Sequence, residues 1–229
     1  MSAPLAMRLA LVFADATRRP ALEAIAAIDA ELAASTRPGI EHTVAHAKLA
    51  WWRGEVDRLA AGRPDHPLTR ALHGAAGAAP DYRLLHERLT AADYALVGFE
   101  PTTPAEWDAL LYRSHGALEQ LGAEVLAGRR DPALATFGAA LGRGLGLLEA
   151  LAGGIEDPHA ALAGHCAAQL DVAAGSLPQA LRLNQRPGLV RLAIGRARLA
   201  RLVAGRTPDP GPLLQLWLAW RSARRARLE

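Results

Sequence analysis

Residues 46–55, H-A-K-L-A-W-W-R-G-E, gather the side chains of this chain best suited to holding an anion. Lys48 and Arg53 flank Trp51 and Trp52, two of only five tryptophans, and Glu55 follows. Cations beside aromatic rings can grip an anionic group through charge-assisted hydrogen bonds. Adjacent residues on a helix point about 100° apart, so only one of the two indoles can face squarely inward. The pair therefore serves core packing or a pocket wall.

Other constellations are weaker. His42 and His46 stand four apart, a spacing that can ligate zinc on one helix face. The residues between them, T-V-A, lack the glutamate of H-E-x-x-H, and no third ligand is signalled, so they read as surface or edge histidines. His165 and Cys166 are neighbours that diverge on a helix and make no nucleophile–base pair. No P-loop and no G-x-S-x-G occurs, and Gly142, Gly144 and Gly146 follow no strand, which excludes a dinucleotide fingerprint.

The elements that must carry these residues are helical. Hydrophobic residues make up 51% of the chain and aromatic ones only 5%, so Ala and Leu supply most of the apolar surface. These are strong helix formers, and no strand-length alternation or internal repeat interrupts them. Helices are expected over residues 4–15, from Thr17 as N-cap to about 34, and over 40–61, 68–75 and 81–97. Thr103-Pro104-Ala105-Glu106 has the form of a capping box opening a helix to about 127. Further helices are expected over 132–152, from Asp157-Pro158 to about 174, and over 188–204 and 212–228. The four glycines at 138, 142, 144 and 146 imply close helix packing or a wide pocket, since each costs about 0.5–1 kcal/mol relative to Ala. The expected architecture is all-α: one domain over residues 1–229, a bundle of eight to ten helices.

The formal charge is +3, and Lys48 is the only lysine. Arginines gather late, at 191, 196, 198, 201 and 206, then at 221, 224, 225 and 227. Such a surface can meet an anionic membrane, although a solvated helix face is the commoner role. No nucleic-acid partner is expected. The single cysteine, Cys166, excludes an internal disulfide and fits a reducing compartment. Neither a signal peptide nor an uninterrupted apolar span is read from the chain. The expectation is a cytoplasmic protein, peripheral at most at the inner membrane.

Residues 25–35, I-A-A-I-D-A-E-L-A-A-S, then A-K-L-A-W-W-R-G-E at 47–55 and D-H-P-L-T-R-A-L at 65–72, resemble the squalene/phytoene synthase family in order and type. The likeness continues through T-P-A-E-W-D-A-L-L-Y at 103–112 and A-L-G-R-G-L-G-L-L at 140–148. It implies the isoprenoid synthase fold, a helical bundle around an apolar cavity. Active members join two prenyl diphosphates head to head, using facing D-x-x-x-D motifs that hold Mg²⁺ against the diphosphate oxygens. By this resemblance Lys48, Trp52, Arg53 and Tyr112 are substrate-binding candidates, with Lys48 and Arg53 placed for a diphosphate or a lipid head group.

The sequence departs from both acidic motifs. Asp29 stands in the first, but its i+4 partner is Ala33, and Glu31 lies about 200° round the helix. In the second, the expected Asn, Arg and first Asp fall on Glu149, Ala152 and Gly153, leaving Asp157 with Glu156 beside it. The metal candidates are thus Asp29, Glu149 and Asp157, with Asp93 a looser match. I-D-A-E-L-A at 28–33 is more similar to the F-N-x-E-L-A of an aspartate-poor branch, proteins resembling the mitochondrial complex I assembly factor. The implied function is a degenerate, non-catalytic member that binds an isoprenoid, another lipid or a partner protein, with no cofactor. The alternative is an active prenyl transferase using Mg²⁺.

Overall fold

The computed structural model describes residues 5–154 and 161–228. Among these every regular element is helical: α1 Leu5–Val12, α2 Arg19–Ser35, α3 His42–Ala60, α4 Pro67–Ala76, α5 Leu84–Leu96, α6 Pro104–Leu111, α7 Ala117–Ala127, α8 Pro132–Ala152, α9 Ala161–Ser176, α10 Gln179–Arg182, α11 Arg186–Val203 and α12 Pro212–Leu228. The segments beyond the expected eight to ten are short. The single turn α10 carries no periodic signal, and the helix expected from 104 to 127 is divided by a π-helical turn, Tyr112–Gly116.

Local chemistry explains most boundaries. Thr103 and Glu106 form the anticipated capping box, Glu106 N–H donating to Thr103 Oγ1 at 3.2 Å and Thr103 N–H donating to Glu106 Oε2 at 3.1 Å. Asp131 caps α8 by accepting from Ala133 N–H at 2.9 Å, with Pro132 in the first turn. Thr17 is not the N-cap of α2. Its N–H donates to Asp15 Oδ1 at 2.8 Å, which turns the chain one step earlier and leaves Arg18 at the cap position.

The apolar stripes build two main cores. One joins α2, α3, α4, α5 and α7 through Ile28, Leu32, Leu49, Leu72, Leu85 and Leu121. The other joins α8, α9 and α11 through Phe137, Leu141, Leu148, Leu170 and Leu192. A smaller third cluster packs α1 against α11 and α12. By length and composition α8 is apolar enough to cross a membrane, but 72% of its most apolar stretch is buried within the bundle.

The α8 glycines resolve as close packing. A Cβ on Gly138 would lie 2.4 Å from Gln120 Cα, and one on Gly142 would lie 2.5 Å from the His115 carbonyl oxygen. Gly146 receives the His115 ring itself, with Cδ2 only 2.5 Å from where a Cβ would stand. The helix therefore lets α7 and the π turn approach backbone to backbone. That contact aims His115 inward.

Candidate functional site

Where the two cores meet, a cavity of about 520 Å³ lies between α1, α2, α7, α8 and α11. Its α2 wall includes Leu22, Ile25, Ala26 and Asp29, a run at i, i+3, i+4 and i+7 that shares one helix face. Asp29 thus ends an apolar stripe. Leu118, Glu119, Gly122 and Leu126 come from α7, Phe137 and Leu141 from α8, and Pro187, Gly188 and Arg191 from α11. Gly188 is needed for closeness: a Cβ there would stand 2.8 Å from the Phe137 ring.

Both carboxylates on this wall are answered by arginine. Arg88 Nε donates to Asp29 Oδ1 at 2.6 Å, reaching from α5. Arg191 of α11 pairs with Glu119 of α7 across the cavity end, both side chains mostly buried. Gln185 is fully buried; its Nε2 donates to Ala123 O at 2.9 Å, while its Oε1 has no partner among the described residues. The Ala123 carbonyl can only accept, which fixes the amide orientation.

His115, in the π turn, packs its ring over Gly146 of α8. Burial lowers its pKa below the usual 6.5, opposed by the charges of Glu149, Asp29 and Glu119 and reinforced by Arg88. Its imidazole is therefore neutral at pH 7. The charges of Asp29 on α2 and Glu149 on α8 both act on this one ring.

The sequence candidates are dispersed. Of those among the described residues only Asp29 lines the cavity. Glu149 is exposed on α8, and Asp157 lies outside the described residues, as do Glu156 and the start expected at Asp157-Pro158. Lys48 is exposed on α3. Trp52 is buried in the first core, edge-on to His66 at 4.9 Å, and Trp51 is 46% exposed. Arg53 pairs with Asp93. Tyr112 lies in the π turn, its hydroxyl 3.2 Å from Gln120 Oε1 and the Arg143 guanidinium 5.0 Å from its ring centre. His42 and His46 contact each other at 4.7 Å, and no described group of three or more His, Cys, Asp or Glu side chains could hold a metal ion. The Cys166 thiol is pushed up to about 11 by burial and donates to Gly144 O, so it is inert.

Sequence reasoning missed Arg88, His115, Glu119, Gln185 and Arg191. Arg88 and Arg191 meet their acids across 59 and 72 residues, a relation no local spacing encodes. His115 had a faint signal: Gly142 and Gly146, one turn apart on α8, are the hole its segment fills.

The W-W-R-G-E and D-H-P-L-T stretches prove to be one unit. Glu55 is fully buried, and its Oε1 accepts from Asp65 N–H at 2.8 Å, His66 N–H at 2.9 Å and the Thr69 hydroxyl. Its Oε2 accepts from Arg58 Nε at 2.8 Å. Burial alone would raise the carboxyl, but these donors hold it at about 2. Trp52 against His66 closes the same joint between α3 and α4.

Comparison with known proteins accords with this architecture. The squalene/phytoene synthase family model matches residues 6–166, well over half of the chain. A crystal structure of a dehydrosqualene synthase in complex with ligand superposes with a TM-score of 0.77 at 12% identity, over 98% of this chain and 92% of that one. At that identity the likeness speaks for the fold. A search of the curated proteins gives no match.

Proposed function

The chain belongs to the squalene/phytoene synthase family, and from that premise we propose that it binds an isoprenoid or similar apolar lipid without joining prenyl diphosphates. One observation carries this reading: each acid on the cavity wall is neutralised by an arginine, Asp29 by Arg88 and Glu119 by Arg191. A diphosphate is polyanionic and leaves only with strong cationic help, which the family draws from Mg²⁺ held by paired acids. Here the position one turn after Asp29 on the same helix face is Ala33, which brings no second carboxylate. The described residues do not fit that metal. What remains is an apolar space whose fixed charges cancel, suited to a neutral ligand. The buried Gln185 Oε1 favours one that carries a hydroxyl, since an acceptor left unpaired costs about 1–3 kcal/mol.

The second reading, an active prenyl transferase, is favoured only by the charges of Asp29 and Glu149, both of which raise the His115 imidazole against its burial. One experiment separates them. Purified protein is incubated with farnesyl or geranylgeranyl diphosphate and Mg²⁺, and pyrophosphate release is measured beside the binding of farnesol and squalene. Binding of the neutral isoprenoids with pyrophosphate at background is expected. Robust pyrophosphate release would overturn the non-catalytic reading.

A further inference from the structure

The last helix carries a surface that the bundle does not use. Ala219, Ala223 and Ala226 bury one side of α12. On the adjoining face Leu213, Leu216, Trp217 and Trp220 stand 82%, 53%, 46% and 50% exposed. Their spacing places all four on one helix face. Scattered exposed leucines are ordinary, whereas four large apolar side chains in a row, two of them indoles, mark a contact surface. Arg221 lies over the Trp217 ring at 4.8 Å and Arg224 over Trp220 at 5.2 Å. On the flank, Arg196, Arg221 and Arg225 line a groove of about 430 Å³ floored by Leu189, Leu192 and Leu218. Arg196 is paired with Asp171, and α12 itself contains no acidic residue.

We propose that α12 docks this protein on an anionic lipid bilayer. Leu213, Leu216, Trp217 and Trp220 enter the boundary between head groups and acyl chains, and a lipid phosphate sits in the arginine groove. The composition selects this occupant. Indoles settle at the membrane interface, leucines gain by leaving water, and arginines beside them meet anionic head groups. A second copy on the same face would bury those cations with no α12 acid to receive them. Docking would also bring the cavity close to the lipid: Ala10 of α1 packs with Ala219 and Ala223, and the same residue lines the cavity. The proposal does not depend on what the cavity holds.

Co-sedimentation of the full chain with vesicles tests it, using phosphatidylcholine alone and phosphatidylcholine mixed with phosphatidylglycerol. Binding is expected on the mixed vesicles only, weakening as salt rises. The exposed double variant Trp217→Ala/Trp220→Ala, its fold checked by circular dichroism, loses about tenfold or more in partitioning. Arg221→Gln/Arg225→Gln loses about fivefold for each arginine. Absence of binding to mixed vesicles, or an unchanged Trp variant, overturns the proposal. So does a wild-type dimer that the Trp variant dissociates, because the stripe would then be a self-interface.

Discussion

Glu55 and Asp29 are both carboxylates on helices that build the first core, and their surroundings differ in kind. Glu55 is sealed from water and takes its donors from Arg58, Asp65, His66 and Thr69, all within 14 residues of it. Asp29 keeps 42% of its side chain exposed at the edge of a cavity, with a single arginine from 59 residues away. The first acid is consumed by the fold and the second is held at a ligand-sized space. A carboxylate on a core helix therefore marks a joint when its partners are local and complete. It marks a site when its partner is distant and single, and empty volume lies beside it.

The largest expected effect breaks the first member of this pair. Glu55→Ala strands the Arg58 guanidinium, two backbone N–H groups and the Thr69 hydroxyl, and a cost of about 3–5 kcal/mol is expected. Chemical denaturation should show it as a lower midpoint with the slope unchanged. Asp29→Asn should cost under about 1 kcal/mol, because Asp29 is part-exposed and meets one partner. Equal costs for the two variants would erase the distinction.

Next in size is the pH dependence of the same joint. The Glu55 carboxyl is depressed from 4.5 to about 2 in the folded protein. Its contribution is fully present above the unfolded value near 4.5 and is lost as pH falls through about 2. The shift corresponds to about 3 kcal/mol. Glu55→Gln should be less stable at pH 7 and should lose much of this acid-side decline. Parallel denaturation curves between pH 6 and 2.5 for the two proteins would contradict the account.

This contrast also explains what could be read from the sequence. The all-α class, the Thr103–Glu106 capping box and the Pro132–Ala152 helix were legible because their causes lie within a turn or two of chain. The W-W-R stretch was legible as a resemblance, yet its inward acid proved to be the fastening of α3 to α4. The cavity's polar end was not legible. Arg88, Glu119 and Arg191 become neighbours only when α5, α7 and α11 assemble, and the π turn that aims His115 has no local signature. Asp29 was found through the family pattern, while its neutralising partner could not be.

A smaller effect probes the second member through its charges. Arg191→Ala leaves Glu119 unanswered on a mostly buried wall, and a cost of about 1–3 kcal/mol is expected. The Arg191→Ala/Glu119→Gln double variant should recover most of it, since both charges are gone. Neutral-isoprenoid binding should weaken in the single variant and return in the double one, read by extraction and mass spectrometry of the bound ligand. A double variant as damaged as the sum of the two singles would mean that the pair is not coupled.

The smallest expected effect tests whether the space itself matters. Gly122 lies mid-helix in α7 on the cavity wall, and a Cβ there would meet only Leu22 Cδ2, at an ordinary 3.7 Å. Gly122→Ala should therefore stabilise the protein by about 0.5–1 kcal/mol through helix propensity, at the cost of one methyl of cavity volume. Gly138→Ala makes the same chemical change where the Cβ would collide with the Gln120 backbone at 2.4 Å, and it should destabilise instead. Thermal unfolding of the two variants should shift in opposite directions. Gly122→Leu should then fill the cavity and abolish isoprenoid binding while the fold survives. If Gly122→Leu binds as wild type does, the ligand lies elsewhere, and Asp29 and Arg88 are a surface joint like any other.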